Sequence, residues 1–238
     1  MIKNYNNISG LLLVNKPSGV TSFKVTHKIR KILNVRKAGH CGTLDPSATG
    51  LLLVLIGKAT RLQGSFMKKD KIYTSSFLMG ITTDTGDLDG NIISKSSILD
   101  VDIEKIAEAV ETFRGEILQI PPMYSALKRN GKKLYELARR GIEVERKPRK
   151  VTIKQFNILS YKHDILNVKV FCSSGTYIRT LAKDLGDLLG CGATVKTLRR
   201  DVIGVFDVKN ALSFDDLESL GKIMEKLTPY EKLLELAK

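Results

Sequence analysis

Two hydrophobic periodicities alternate along the chain and predict its secondary structure. Continuous apolar runs and strict apolar–polar alternation are typical of strands, whereas apolar residues three or four positions apart are typical of helices. Strands are predicted on this basis at residues 10–14, 51–56, 71–79, 151–159, 165–171, 193–198 and 204–208. The segment 51–56 is apolar throughout, which indicates a buried strand.

Helical spacing predicts the other elements. We expect Ser22 to cap a helix whose apolar residues lie on or near one face, namely Phe23, Val25, Ile29, Ile32 and Leu33. Further helices are predicted at residues 102–113 and 177–189, and helices end the chain. The last begins with Thr228-Pro229-Tyr230-Glu231, the pattern of a capping box with Pro at the first helical position.

Residues 128–150 carry ten Lys or Arg against three Glu. Leu134, Tyr135, Leu137 and Ala138 interrupt these charges at helical spacing, and Gly141 follows them. A helix that ends at a glycine is consistent with this pattern. The segment therefore predicts a basic helical insertion.

The polar segment 39–50 contains one carboxylate, Asp45, among glycines and next to a proline. Asp-Pro is a common turn, so a structural role for Asp45 stays open. Glycines permit a tight turn or the close approach of a ligand, and loops held by a rigid scaffold often carry catalytic groups. Asp45, with His40 nearby, is the candidate catalytic residue.

Composition narrows the classes of function. The formal net charge of the 238 residues is +14, and a surface this basic meets nucleic acid most often and an anionic membrane less often. No apolar run approaches the roughly 20 residues that cross a bilayer, so we expect a cytoplasmic protein. Cys41, Cys172 and Cys191 are odd in number and lack Cys-x-x-Cys spacing, which argues against disulfides and structural zinc. We expect Cys41 to pack in the core.

Other motifs have weaker support. The tripeptide at residues 84–86, Asp-Thr-Gly, occurs in aspartic proteases, but that chemistry needs two such carboxylates and the chain has one copy. A symmetric dimer could supply the second, so a dimeric protease stays as a minor alternative. The histidines, His27, His40 and His163, are not spaced as metal ligands, which argues against a metal site.

Six segments in order resemble the TruB-type tRNA pseudouridine synthases: residues 10–22, 39–51, 71–73, 84–87, 121–128 and 173–186. The resemblance spans roughly residues 10–215. It implies an α+β (mixed α/β) pseudouridine synthase fold, with a mixed, largely antiparallel central sheet, flanking helices and a basic insertion at about residues 121–150. It also implies one catalytic domain over residues 1–238.

The same resemblance implies the chemistry. Members of this family isomerise the T-loop uridine at tRNA position 55, and Asp45 matches the aspartate that breaks the uracil–ribose bond before the base is rejoined through carbon. Attack on the sugar, attack on the base and removal of a sugar proton all stay open for it. Arg179 matches the partner that keeps this aspartate charged, and Tyr73 matches the tyrosine that stacks on the extruded uracil.

Further site residues are carried over from the same segments. Tyr177 and Leu198 match pocket-lining positions, although Leu198 also fits an ordinary strand core. His40 matches a histidine that lies against the RNA near the flipped nucleotide. Lys16 is expected to support the catalytic loop or approach a phosphate, and Asp87 to add polar contacts at the pocket rim.

The resemblance also implies partners. The expected partner is the T-arm of tRNA, gripped by the basic insertion, and no cofactor or metal is expected because isomerisation involves no net redox change. We expect a monomer. The family's carboxy-terminal RNA-binding PUA domain is expected to be absent or truncated. The main alternative is a catalytically silent RNA-binding or RNA-folding module in which Asp45 only shapes a loop.

Overall fold

A computed structural model describes residues 8–98, 101–129 and 131–237 of the chain. The chain divides into two compact units. The first unit consists of Met1–Ile72 and Arg199–Lys238, and the second consists of Tyr73–Leu198. Each unit has its own buried apolar clusters.

The strands are, in chain order, β1 (Gly10–Lys16), β2 (Ala38–His40), β3 (Thr49–Ile56), β4 (Lys71–Met79), β5 (Ile81–Thr83), β6 (Ile92–Lys95), β7 (Gly115–Gln119), β8 (Lys128–Arg129), β9 (Lys132–Lys133), β10 (Arg149–Lys162), β11 (Ile165–Cys172), β12 (Ala193–Ile203), β13 (Phe206–Asp207), β14 (Leu212–Ser213) and β15 (Thr228–Pro229). The α-helices are α1 (Ser22–Ile32), α2 (Gln63–Met67), α3 (Ile103–Glu111), α4 (Leu134–Ala138), α5 (Ile178–Leu188), α6 (Leu220–Lys226) and α7 (Tyr230–Leu236). Short 3-10 turns occupy Gly57–Leu62, Val208–Asn210 and Asp216–Glu218.

In the first unit the strand order is β14-β1-β3-β12. Strand β3 runs antiparallel to β1 and parallel to β12. One face of β3 packs with helix α1 around Val54, and the other packs with Phe66 and its neighbours around Leu53. Because both faces are covered, the strand is apolar at every position from residue 51 to 56.

In the second unit the order is β12-β4-β11-β10-β7. Strand β10 is antiparallel to both β11 and β7. Alternate residues of β4, among them Tyr73 and Phe77, enter a core that also contains Ile106 of α3 and Leu181 of α5. Most of the described pairings in the chain are antiparallel, which confirms the predicted mixed, largely antiparallel arrangement.

Several predicted elements are confirmed. Strand β4 has the predicted bounds, and β3 begins only two residues before the predicted start. Helix α3 begins after Asp102, whose carboxylate accepts a hydrogen bond of 2.8 Å from the backbone nitrogen of Lys105. Helix α5 lies within the predicted range. The predicted strands at residues 193–198 and 204–208 are instead one long strand, β12, followed by the short β13.

The start of α1 differs from the prediction. Thr21, not Ser22, is the N-cap, because the Thr21 hydroxyl accepts a hydrogen bond of 3.1 Å from the backbone nitrogen of Lys24. Phe23 was expected on the apolar face, yet 73% of it is exposed, and its ring stacks on His27 with centroids 5.7 Å apart. Val25 and Ile29 are buried as expected.

Two further predictions are wrong. The basic insertion is not mainly helical: its described residues contain the two-stranded β8–β9 hairpin and the five-residue α4, and residues 142–148 form neither helix nor strand. The terminal capping box is also wrong. Thr228 pairs with Leu11 of β1 in a short strand, and Pro229 precedes α7 without a side-chain cap.

None of the helices within the described residues has both the length and the apolar character needed to span a membrane.

Candidate active site

Asp45 lies in the first unit, in the loop of residues 41–48 between β2 and β3. The loop is shorter than predicted, since His40 ends β2 and Gly50 belongs to β3. Asp45 is half-buried, and its carbonyl accepts a hydrogen bond of 3.1 Å from the backbone nitrogen of Ala48, which closes a turn. The carboxylate therefore stands on a short, well-ordered turn.

A buried lysine holds this loop from one side. Lys16 is completely buried, and its ammonium donates hydrogen bonds to the carbonyls of Pro17 (2.9 Å), Val20 (2.7 Å) and Pro46 (3.1 Å). An ammonium has three hydrogens to donate. Because all three point to the backbone, this geometry favours the supporting role expected for Lys16 over a contact with phosphate.

The charge of Lys16 is coupled to the site. Burial lowers the pKa of Lys16 from 10.5 to about 8, the negative charge of Asp45 partly opposes this change, and the positive charge of Arg200 adds to it. Lys16 thus lies within electrostatic range of the candidate catalytic carboxylate and of a second buried cation. At pH 7 the lysine keeps its proton.

The beginning of helix α1 holds the loop from another side. The Ser22 hydroxyl accepts a hydrogen bond of 3.0 Å from the backbone nitrogen of Leu44 and donates one of 3.1 Å to the carbonyl of the same residue. The backbone nitrogen of Gly19 donates to the carbonyl of Pro46 at 2.9 Å. The residues on both sides of Asp45 are therefore fixed by the segment that precedes and starts α1.

A third support comes from strand β12. Arg200 is 2% exposed, and its guanidinium donates to the carbonyls of Leu51 (2.9 Å) and Gly42 (3.1 Å), which lie on either side of the loop. Gly50 sits opposite Arg200 in the sheet with φ of +99°. A Cβ at position 50 would collide with the Arg200 backbone, so only glycine permits this close approach.

Cys41 begins the loop but does not supply a nucleophile. Burial raises the pKa of its thiol to about 12, although the positive charges of Arg200 and Lys71 act in the opposite direction. Since the thiolate is the reactive form, a protonated thiol is inert at neutral pH. Cys41 is fully buried among apolar residues, as predicted.

His40 lies at the end of β2, opposite Val54 of β3. It is half-buried, and its carbonyl accepts a hydrogen bond of 2.8 Å from the Gln63 side chain. Its backbone is therefore fixed from a strand and from α2. This places His40 at the edge of the Asp45 loop.

Arg179 lies in the second unit, in the first turn of α5. Its guanidinium donates to the carbonyls of Thr85 (2.6 Å) and Tyr124 (2.7 Å) and lies 3.7 Å from the Asp87 carboxylate. The backbone of Gly86, with φ of +76°, passes close enough that a Cβ there would come within 3.3 Å of the Arg179 Cβ. The arginine is thus oriented by two separate segments, residues 85–87 and the residue Tyr124.

Asp87 is itself anchored. Its Oδ1 atom accepts hydrogen bonds from the Thr85 hydroxyl (2.6 Å) and from the backbone nitrogen of Asp89 (3.2 Å), while Oδ2 faces Arg179. The structure therefore brings together two predicted site residues, Asp87 and Arg179, whose link was not foreseen. A carboxylate beside a buried guanidinium limits the cost of burying the positive charge.

The predicted pocket residues Tyr73, Tyr177 and Leu198 also belong to the second unit. Tyr73 is buried on β4, whereas Tyr177 and Leu198 are half-buried. The side chain of Gln119, 1% exposed, accepts from the Tyr177 nitrogen (3.0 Å) and donates to the Tyr177 carbonyl (3.3 Å). Gln119 therefore fixes the backbone of Tyr177, two residues before Arg179.

Three residues whose side chains fix the backbone around the candidate site escaped the sequence reasoning: Ser22, Gln119 and Arg200. Ser22 was noted only as a helix cap, and alternation along β12 could have shown that one of the adjacent arginines, Arg199 or Arg200, turns inward.

Asp84, the residue of the protease alternative, accepts hydrogen bonds from Asn91 at 2.9 and 3.2 Å and so closes the β5–β6 hairpin. Within the described ranges, no group of three His, Cys, Asp or Glu could hold a metal ion.

Comparison with known families places this geometry in context. Residues 30–178 match the family described as TruB family pseudouridylate synthase (N terminal domain). The chain belongs to the TruB family. Residues 179–235 match the description tRNA pseudouridylate synthase B C-terminal domain. The resemblance seen in the six sequence segments is thereby confirmed.

Similar proteins carry the same family name. A protein of Endomicrobium trichonymphae, named tRNA pseudouridine synthase B, is 68% identical over 229 residues, which cover 96% of this chain and 100% of that protein. One from Dechloromonas aromatica (strain RCB), with the same name, is 46% identical and covers 97% of this chain, which spans 78% of it. Both similarities include the Asp45 loop and the residues around Arg179.

A solved structure extends the comparison to the fold. The structure described as "Crystal Structure of a Cbf5-Nop10-Gar1 Complex" matches 98% of this chain with a TM-score of 0.74 and 28% identity. This TruB family chain spans 63% of the length of the matched chain. The predicted pseudouridine synthase fold is confirmed.

Proposed function

We propose that this TruB family chain isomerises uridine to pseudouridine at position 55 in the T-loop of tRNA. The observation that carries the proposal is Asp45 on a short turn whose backbone is held by Lys16, Ser22 and Arg200. The relative that is 68% identical over its whole length is named tRNA pseudouridine synthase B, which supports the same substrate class.

The reaction needs no redox partner. The bond between uracil N1 and ribose C1′ breaks, the base rotates, and a new bond joins C5 to C1′. The hydrogen on C5 is then lost and N1 gains a hydrogen, so atoms and electrons balance without a cofactor. Asp45 is the proposed nucleophile or base, by attack on the sugar, attack on the base or removal of a sugar proton.

An ionised carboxylate in a water-excluding site needs a nearby positive charge. We propose that Arg179 provides one, since guanidinium binds carboxylate through two parallel hydrogen bonds. Lys16 supplies positive charge from within the first unit, as its electrostatic coupling to Asp45 indicates. Asp87 holds Arg179 in place through its own carboxylate.

A base that reacts must leave its stack. We propose that Tyr73 stacks on the extruded uracil, that Tyr177 and Leu198 line the pocket, and that His40 occupies the space near the flipped nucleotide. An aromatic ring recovers part of the stacking energy lost on extrusion. The fixed backbone of Tyr177 agrees with such a role.

Exposed cations would hold the rest of the substrate. Within residues 128–150, the basic side chains exposed to solvent are Lys128, Arg129, Lys132, Arg139, Arg140, Lys147, Arg149 and Lys150. We propose that they contact the phosphates of the T-arm. We also propose that the chain acts as a monomer, in the cytoplasm where its tRNA substrate is found, and that residues 1–238 form one catalytic domain.

Release of tritium from C5 tests the proposal. We would incubate the chain with a T-arm RNA carrying tritiated uracil and compare Asp45→Asn, which keeps the shape of the side chain and removes its charge. We expect release by the native chain and a loss of about 10⁴-fold or more in the variant, as for removal of other nucleophiles. Asp84→Asn is the matched control and should release tritium at the native rate.

The alternatives predict other results. Tight RNA binding with equal, negligible release by the native chain and Asp45→Asn would overturn the enzyme proposal and favour the silent RNA-binding module. Loss of activity confined to Asp84→Asn would favour the protease-like tripeptide. A gel-shift titration of both proteins with the same RNA separates loss of binding from loss of chemistry.

A further inference from the structure

Arg200 is a fully buried cation that takes no part in the bond changes of the proposed reaction. A buried charge is costly unless hydrogen bonds and charges around it compensate. Here the guanidinium donates to two carbonyls, those of Gly42 and Leu51, and these lie three residues before and six residues after Asp45. A single side chain therefore bonds the backbone on both sides of this loop.

We propose that Arg200 is a positioning residue for catalysis, which fixes the Asp45 loop at both of its sides and adds positive charge to the Asp45 environment. The inference rests on the proposed function, because positioning matters only if Asp45 performs the chemistry.

The geometry gives Arg200 an effect that a lysine cannot reproduce. The guanidinium is planar and donates in several fixed directions, so one side chain can reach Leu51 and Gly42 at once. The backbone of Arg200 is also fixed, because it packs against Gly50 so closely that a Cβ at position 50 would collide with it. Two side-chain hydrogen bonds and the pairing with Gly50 therefore link strand β12 to the Asp45 loop and the start of β3.

The charges around Arg200 point the same way. Arg200 and Lys16 are both buried in the first unit, and the positive charge of Arg200 lowers the pKa of Lys16. Asp45 is the carboxylate that acts in the opposite direction on Lys16. Two buried cations near one carboxylate favour the ionised form of that carboxylate, which is the form that the reaction needs.

The test compares Arg200→Met and Arg200→Lys with Arg199→Met. Arg199 is the adjacent residue on β12, is exposed and pairs with Asp201 at 3.1 Å, so its replacement removes the same charge without touching the loop. Single-turnover rates with saturating T-arm RNA, and the Kd for that RNA, are measured for each. We expect Arg200→Met to lose about 10²-fold in rate, the cost of a displacement of about 1 Å, with Kd within threefold of Arg199→Met.

The pH dependence separates positioning from general structural support. In Arg200→Met the acid limb of the rate profile should move to higher pH, because the remaining positive charge is smaller and stabilises ionised Asp45 less. Arg200→Lys should leave the acid limb of the rate profile at the native pH but lower the rate, because a lysine keeps the positive charge and loses the planar set of guanidinium donors. An unshifted limb in Arg200→Met, or a rate equal to that of Arg199→Met, would overturn the inference.

Hydrogen exchange provides a readout independent of activity. In the RNA-free protein, the amides of residues 41–48 should exchange faster in Arg200→Met than in Arg199→Met, while those of β10 and β11 stay unchanged. If Arg200→Met does not fold, Arg200→Lys gives the same comparison. If the native chain proves inactive but the loop exchanges faster in the variant, the proposed function is refuted and the contact between Arg200 and the loop is not. Unchanged loop exchange would refute the contact.

Discussion

The Asp45 loop and the basic insertion both depend on Lys and Arg side chains, but they use them in opposite ways. Lys16 and Arg200, at 0% and 2% exposure, direct their hydrogens to backbone carbonyls around the loop. The cations of residues 128–150 are mostly exposed, and Arg146 and Lys150 form ion pairs with Glu143 and Glu116. Position, rather than residue type, decides whether a cation organises the chain or faces a partner.

This contrast has an energetic reason. A buried ammonium or guanidinium loses its water and must be compensated by fixed partners, so it holds those partners in one geometry. An exposed cation keeps its water, moves easily and interacts with distant charge through a screened field. The buried pair should therefore affect rate, and the exposed group should affect RNA affinity.

The largest effect is expected from the buried lysine. Lys16→Met should lower the single-turnover rate by roughly 10²-fold, because the Pro46 carbonyl beside Asp45 loses its anchor. The melting temperature should fall, because the carbonyls of Pro17, Val20 and Pro46 lose their hydrogen-bond donor in a buried site. Rate and thermal unfolding are measured on the same preparation, and an unchanged rate would contradict the role given to Lys16.

An intermediate effect is expected from pH. With a pKa of about 8, Lys16 loses its proton above that pH, and the remaining amine donates two hydrogens instead of three. The rate should fall about fivefold between pH 8 and 9, in proportion to the protonated fraction of Lys16. Stability should instead rise through this group as the pH increases from about 8 to 10.5. In that range the unfolded chain holds more protons at Lys16 than the native chain does, so the free energy of unfolding increases with pH.

Lys16→Arg is the control for this pH effect. An arginine stays charged throughout the range, so any loss of rate in that variant should show no limb near pH 8. The same alkaline limb in Lys16→Arg and in the native chain would assign the titration to another group, such as the uracil base. Melting curves at each pH exclude unfolding as the cause.

The smallest effect is expected from the exposed cations. The double variant of Arg140→Ala and Lys147→Ala should weaken T-arm binding several-fold and make the slope of log K against log salt shallower by up to about 0.9 for each phosphate that is no longer neutralised. Its rate at saturating RNA should match the native rate. If this double variant has a lower rate and an unchanged Kd, the insertion acts on catalysis rather than on RNA affinity, and the contrast with the Asp45 loop is wrong.

Local patterns predicted the regular elements well. The strand-like composition of β4 and the amphipathic spacing of α3 are properties of neighbouring residues, and both elements were confirmed with nearly correct bounds. The insertion failed because its helical spacing covers only residues 134–138, while Gly131 and Gly141 adopt positive φ and Pro148 follows. Charge density there was mistaken for helical length.

The candidate site was predictable in part. The loop of Asp45 and the residues Tyr73 and Arg179 followed from motifs, and their roles stay predictions. The supports of the loop could not be read from the sequence, because Ser22 and Arg200 lie 23 and 155 positions from Asp45 along the chain and meet its loop only after folding. A polar residue chosen for a tertiary contact carries no local pattern.

The two hydrogen bonds between Ser22 and Leu44 have a consequence for which partner, the protein or the RNA, changes conformation on binding. Leu44, the residue before Asp45, is bonded to the Ser22 side chain through both its N–H and its carbonyl, so the Asp45 carboxylate has little freedom to move toward a ligand. The nucleotide has to move to the carboxylate instead. Selectivity would then depend on the free energy needed to unfold the RNA around the uridine. A uridine in a rigid duplex would be excluded before the protein contacts any atom of its base.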